Sequence, residues 1–318
     1  MTIDNMNLSE LSKGKHTFKL NMIKHALGEF WAVPIMVAKG QQEGPVLGIT
    51  AALHGNELNG ISIIHKLWEA TNVDDLRGTL VFVPVLNVPG FVEGERGFYG
   101  GIDLNRIMPG KEKGPTSDVY AYNILSKIIR HLNYLIDLHT ASFGRVNSLY
   151  VRADLSDAKV ARMAELQEPQ IIVNKPGELG TLRGEAAKMG ISAITIEAGD
   201  PYLFQREHIK PTFDGLVHVL ANFGMIDEPV DKIAHEPIIC RSSYWLYAQN
   251  AGILQVHKDL TEPVRKGDVI AAITDIFGNV VEEIAAPEDA VVVSKSTNPV
   301  CHVGSRVIHL GIIWDNYE

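Results

Sequence analysis

Apolar and polar positions along the chain fall into two regimes. From about residue 30 to residue 225, short apolar runs rich in Val, Ile and Thr alternate with stretches whose apolar residues recur at helical spacing. The runs PVLGITAAL (45–53), TLVFVPVLN (79–87), NYLIDLHT (133–140), SLYVRAD (148–154), PQIIVN (169–174) and SAITIEAG (192–199) read as buried strands. LNGISIIHKLWEA (58–70), SDVYAYNILSKIIRHL (117–132), DAKVARMAELQ (157–167) and FDGLVHVLANFG (213–224) read as amphipathic helices between or after them. This alternation predicts an α/β fold, a mostly parallel or mixed sheet flanked by helices on both faces.

The second regime follows MIDEPVDKIAHEP (225–237), a polar, proline-punctuated stretch that suits a linker. Short strand-like runs with turn glycines then cover 242–256, 266–275, 277–287, 289–296 and 304–313, with no helical pattern. They predict a smaller C-terminal all-β module of about eighty residues. The expected division is a catalytic domain over 1–228 and a β domain over 235–318.

Composition narrows the function classes. A chain of 318 residues with 46% hydrophobic and 21% charged residues can bury a sizeable core. Its net charge of -9, with no basic tract, argues against a nucleic-acid partner. A small anionic substrate needs only a few local arginines and stays open. Cys240 and Cys301 lack metal-ligand spacing and read as buried free thiols, although sequence leaves a disulfide between them open. The N-terminal segment carries early acids and no long apolar core, and no run approaches the ~20 residues of a membrane span. The expected location is cytoplasmic, without a membrane partner.

Chemistry gathers at the ends of the apolar runs. ALHGNELNG (52–60) sets His54 and Glu57 at a strand-to-helix turn, where open α/β sheets place their sites. NYLIDLHT ends near His139, and strand alternation puts Asp137 on the same side. Two histidines and a glutamate from separate strand ends match an open three-ligand zinc site. Taken alone, His54 also reads as a helix cap and His139 as a buried, hydrogen-bonded histidine. Asp137 reads either as orienting a ligand or as a buried structural carboxylate. Glu197 ends the run SAITIE just before Ala-Gly, so it is either a general base or a solvated strand-end glutamate. GGIDLNRIMPG (100–110) offers Asn105 and Arg106 for a carboxylate, and Arg96 could face a developing oxyanion. Surface ion pairs are the alternative for both arginines.

The motifs HGNE, DLNR, DLHT and EAG, in this order, resemble the succinylglutamate desuccinylase/aspartoacylase family, of zinc carboxypeptidase-like fold. The resemblance runs from about residue 30 to the end of the chain. It implies that His54, Glu57 and His139 bind one Zn2+ per chain and that Glu197 is the general base. It further implies that Asn105 and Arg106 hold the substrate carboxylate and that Arg96 polarises the scissile carbonyl. HTASFGRVNSLYVRAD (139–154) and GTLRGEAAKMGISAITIEAG (180–199) look like one bacterial branch, in which Arg145 or Arg183 could contact the substrate's remote end. The β module is similar to the family's biotinyl/lipoyl barrel-like C-terminal domain. Its turn DIFGN (275–279) lacks the attachment lysine, so no prosthetic group is expected.

The activity implied is zinc-dependent hydrolysis of an N-acyl amino acid or related small amine. A metallocarboxypeptidase acting on short peptides is the enzyme alternative, and a non-catalytic ligand-binding module the other. The partner expected is a small, carboxylate-bearing molecule. A homo-oligomer is compatible with the sequence, which does not specify assembly.

Overall fold

Residues 133–140 are apolar on both faces apart from their chemistry-bearing positions, and a strand of that kind belongs in the middle of a sheet. In the computed structural model, which describes residues 1–229 and 236–314, Tyr134–His139 does lie there. It runs parallel to Gln42–Ala51 on one side and to Ser192–Glu197 on the other. Arg77–Val83 lies parallel beyond Gln42–Ala51, followed by antiparallel Phe30–Lys39 and Gly14–Lys24. On the far side Tyr150–Ala153 pairs antiparallel with Ser192–Glu197, so the sheet is mixed.

Helices cover both faces. Asn59–Ala70, Ala158–Glu165 and Arg206–Asn222 pack on one, against Ile49, Phe82, Ile136 and Leu138. Thr116–Lys127 and Leu182–Lys188 pack on the other, against Val81, Val83 and Leu135. The helix Asn59–Ala70 buries Ile61, Ile63, Ile64 and Leu67, each contributing about 1.5–3 kcal/mol. Its first turn sits directly on the sheet. A Cβ on Gly60 would lie 2.7 Å from the Ala51 Cβ and 2.8 Å from the Leu138 Cβ.

Several elements differ from the sequence reading. The N-terminal strand Gly14–Lys24 has no counterpart in it, because its one-sided alternation gives only a weak apolar signal. Helix Leu182–Lys188, seven residues long and capped by Thr181, is too short to show a period. Helix Arg206–Asn222 starts seven residues earlier than 213, with Pro211 disguising its first turns.

The C-terminal strands form two sheets rather than one closed ring of hydrogen bonds. Ile238–Tyr247 runs parallel to Ile171–Asn174 and thereby extends the main sheet through Arg306–Ile313 and Ala290–Ser296. Gly252–Val256, Val269–Thr274, Val280–Ala285 and Val300–Cys301 make a second, four-stranded sheet. The two face each other across Leu254, Ile270, Ile273, Val292, Ile308 and Leu310. The expected linker at 225–237 falls partly on 230–235, outside the described residues. No helix among the described residues is long and apolar enough to cross a membrane.

Candidate metal centre and its pocket

Chain order places the site. The strand Gln42–Ala51 has its sequence successor Arg77–Val83 on one side and Tyr134–His139 on the other, so a topological switch point lies between Gln42–Ala51 and Tyr134–His139. Ligands bind at such points, beyond the carboxyl ends of the strands. His54 and Glu57 leave the first strand there, and His139 ends the second. Gly55 between them is required by space: a Cβ would lie 2.0 Å from the Gly90 carbonyl carbon and 2.2 Å from the Phe91 nitrogen. Asn59 ties the same turn to the Ala198–Asp200 segment, donating to the Ala198 carbonyl at 2.8 Å and accepting from the Gln205 amide at 2.8 Å.

Three ligand-type groups converge. His54 Nδ1 lies 2.9 Å from Glu57 Oε1, His139 Nδ1 lies 3.0 Å from Glu57 Oε2, and the two Nδ1 atoms are 3.1 Å apart. The other nitrogen of each imidazole is held by an acid. His139 Nε2 is 2.7 Å from Asp137 Oδ2, and His54 Nε2 is 3.1 Å from Asp103 Oδ1. Each carboxylate favours a proton on the Nε2 it faces, which turns the Nδ1 lone pair toward the common point. Two lone pairs and a carboxylate pointing at one another repel unless a positive charge sits among them. The donor set therefore fits a divalent cation such as zinc. His54, Glu57 and His139 are all buried, and together they could hold a metal ion.

Where no cation sits among these groups, the acids draw a proton into the cluster instead. Burial alone would raise the Glu57 carboxyl, but His54 and His139 pull it well below the usual range. Burial alone would lower His139, yet Asp137 and Glu57 hold it well above. Asp103 is likewise held low against its burial, by His54 and then Arg96. Glu57 and Asp103 thus stay ionised. Asp137 is fixed in turn by the Thr50 hydroxyl, which donates to Oδ1 at 2.7 Å.

Glu197 stands beside this cluster. It pairs in register with His139 on one neighbouring strand and with Tyr150 on the other. Its side chain is 14% exposed and accepts from Asn147 Nδ2 at 3.0 Å and from Arg152 Nε at 3.4 Å. Burial alone would weaken the charge on Arg152, but Tyr150 and Glu197 keep it firmly protonated. Arg96 also belongs to the cluster. One of its nitrogens donates to Glu57 Oε1 at 2.7 Å and Ser142 Oγ at 2.6 Å, the other to Asp103 Oδ2 at 3.2 Å.

The remaining expected residues border the same pocket, a cleft of about 360 Å³. Asn105 accepts from the Leu182 amide at 2.8 Å, and Arg106 lies 3.5 Å from Glu178. Arg183 is buried and donates to the carbonyls of Lys175 at 2.8 Å and Pro176 at 3.5 Å, with burial lowering its pKa to about 10. Arg145 sits on the short strand Arg145–Asn147, which pairs with Ala290–Ser296. Together with the pairing of Ile238–Tyr247 and Ile171–Asn174, it sets Ser243, Trp245, Ser294, Arg306 and His309 of the C-terminal strands in the pocket wall. Sequence reasoning missed these, together with Asn147 and Arg152. Only Arg152 left a signal, as a charge inside an apolar strand that must find a partner.

Comparison with known proteins places this site among relatives. Residues 43–223 match the succinylglutamate desuccinylase/aspartoacylase catalytic domain. An N-alpha-acetyl-L-2,4-diaminobutyric acid deacetylase from Halomonas elongata is 25% identical over 291 residues, which cover 86% of this chain and 84% of that protein. The product-bound structure of the ectoine utilization protein EutE from Ruegeria pomeroyi superposes with a TM-score of 0.85 at 22% identity, over 95% of this chain and 96% of the other. A succinylglutamate desuccinylase/aspartoacylase structure from Rhodobacter sphaeroides gives 0.87 at 20% identity, over 99% of each chain.

Proposed function

The chain belongs to the succinylglutamate desuccinylase/aspartoacylase family, and from that premise we propose that it is a zinc-dependent deacylase cleaving the amide bond of a small N-acyl amino acid. The observation that carries this reading is the convergence of two Nδ1 atoms and a carboxylate beside Glu197, with each Nε2 tied to its own acid. The deacetylase activity named for the Halomonas relative supports the same reaction class.

Held by His54, Glu57 and His139, zinc would supply a Lewis acid that polarises the scissile carbonyl and acidifies water. The other steps belong to the chain. Glu197 takes a proton from the attacking water at its carboxylate and delivers it to the leaving nitrogen, with Asn147 and Arg152 holding it in place. Arg96 lies against Glu57 and Ser142, where its charge can face an oxygen on which negative charge develops. Arg106 and the Asn105 amide offer donors for the substrate carboxylate. The C-terminal strands wall the pocket, which favours a small substrate over a polypeptide needing an open groove.

The test is metal analysis of the purified protein together with a hydrolysis screen of N-acyl amino acids, N-acyl diamines and short peptides. Zinc content and release of a free amine from the N-acyl amino acids are expected. Cleavage confined to peptides would replace this reading with the carboxypeptidase one.

A further inference from the structure

Glu197 is the last residue of its strand, so its place depends on how the chain leaves the sheet. The Ala198 amide still donates to the His139 carbonyl at 2.8 Å, and strand pairing stops there. The backbone groups that follow find partners elsewhere. Asn59 Nδ2 donates to the Ala198 carbonyl at 2.8 Å, the Ala141 amide to the Gly199 carbonyl at 2.7 Å, and the Asp200 amide to Gln205 Oε1 at 2.6 Å. Gly199 turns the chain here with a φ of 82°, and a Cβ on it would lie 2.3 Å from Gln205 Oε1 and 2.7 Å from Asn59 Nδ2. Two side-chain amides fill the space that the glycine leaves.

Those two amides are also bonded to each other in both directions. Asn59 Nδ2 donates to Gln205 Oε1 at 3.1 Å, and Asn59 Oδ1 accepts from the Gln205 backbone amide at 2.8 Å. Gln205 Nε2 then donates to Asp200 Oδ2 at 3.0 Å. Asn59 is fully buried and lies two residues after Glu57, in the first turn of the helix Asn59–Ala70. Both polar atoms of its side chain reach across to the segment behind Glu197. One buried side chain therefore ties the turn that carries two candidate metal ligands to the strand end that carries the candidate base.

We propose that Asn59, Gln205 and Asp200 are positioning residues, a hydrogen-bonded rivet that sets Glu197 against the His54, Glu57 and His139 cluster. Asn147 and Arg152 hold the Glu197 carboxylate, and the rivet holds the backbone that carries it. This role rests on the deacylase reading, in which Glu197 moves the proton. Proton transfer requires donor and acceptor within hydrogen-bond reach, so a displacement of about 1 Å at Glu197 lowers turnover while metal and substrate stay bound. The network is also local: it touches the exit of one strand and the start of two helices, and it contributes no atom to the pocket wall.

The test breaks one hydrogen bond of the rivet and then restores it. Gln205→Glu keeps an acceptor for the Asp200 amide but sets a carboxylate against Asp200 Oδ2, and adding Asp200→Asn returns a donor to that contact. Gln205→Glu should lower kcat on the best N-acyl amino acid about 10–100-fold, with KM within about twofold and zinc content unchanged, and the double variant should recover to within about twofold of wild type. Amide hydrogen exchange over 196–200 should rise in the first and fall back in the second. In a Glu197→Gln background, Gln205→Glu should cost less than about twofold, since no base remains to be displaced. Thr212→Val removes a buried hydrogen bond from the same helix as Gln205 begins, that of Oγ1 to the His208 carbonyl at 2.7 Å, and should lower Tm while leaving kcat unchanged. Wild-type kcat or exchange in Gln205→Glu, no recovery in the double variant, an undiminished loss in the Glu197→Gln background, or an equal loss of kcat in Thr212→Val overturns the proposal. A wild-type protein that holds zinc yet hydrolyses no N-acyl amino acid refutes the deacylase reading instead, and the exchange measurements then decide alone whether the rivet fixes the strand end.

Discussion

Asp137→Asn probes how the candidate centre is built while leaving the three ligand side chains in place. Asp137 is 1% exposed and touches His139 Nε2 at 2.7 Å and the Thr50 hydroxyl at 2.7 Å. An amide keeps the volume, and the Thr50 hydroxyl can donate to it or accept from it, so the number of hydrogen bonds hardly changes. The charge that favours a proton on Nε2 is lost. If the amide nitrogen turns to His139, the imidazole adopts the other tautomer and its Nδ1–H faces Glu57, blocking that nitrogen as a ligand. Loss of such an orienting partner typically weakens metal binding by ~10–100-fold, or about 1.4–2.7 kcal/mol. The assay is zinc affinity by competition with a chromogenic chelator at neutral pH, with circular dichroism to confirm folding. Thr50→Val is the control, since it removes one hydroxyl–carboxylate hydrogen bond, costing about 1.5–3 kcal/mol of stability, but leaves the charge that faces His139 and should weaken zinc binding less than Asp137→Asn does. Zinc affinity of Asp137→Asn within about twofold of wild type, or equal losses in the two variants, would refute the tautomer argument.

Three further outcomes follow from the same geometry. Glu197→Gln should leave zinc content unchanged while lowering kcat by roughly 10²–10⁴-fold on the best N-acyl amino acid, because an amide cannot accept the proton; near-normal turnover would remove Glu197 from the chemistry. Gly55→Ala should lower Tm and zinc occupancy together, since its Cβ would meet the Gly90 backbone at 2.0 Å, a clash costing on the order of 1–3 kcal/mol; an unchanged melting curve and zinc content would show that the turn has room. Chelation should also lower the wild-type Tm, because an ion held only by the folded state at a thousandfold excess over Kd stabilises it by about 4 kcal/mol. The same chelator should leave the Tm of His139→Ala unchanged.

The residues that converge on the candidate centre were legible because strand ends and alternation are local properties. His54 and Glu57 follow the end of one apolar run and His139 ends another, and Asp137 is two residues from His139, so a period of two places both on one side. The mixed sheet was legible for the same reason. What stayed hidden depends on contacts between distant segments. Trp245, Arg306 and His309 reach the pocket through the pairings of Ile238–Tyr247 with Ile171–Asn174 and of Arg145–Asn147 with Ala290–Ser296, registers that no local pattern encodes. The arginines were visible as residue types but not as partners. Arg183 turns to backbone carbonyls and Arg152 to Glu197, while Arg145 and Arg306 turn to an aromatic ring.

On the proposed mechanism, the His54, Glu57 and His139 side chains hold the ion on which amide hydrolysis depends. The test is to titrate metal-free protein with zinc and follow the hydrolysis rate of an N-acyl amino acid at each addition. The rate should rise linearly to about one equivalent per chain and then level off, and His139→Ala should stay flat throughout. Full activity in the presence of chelator, or a wild-type-like titration of His139→Ala, would contradict it.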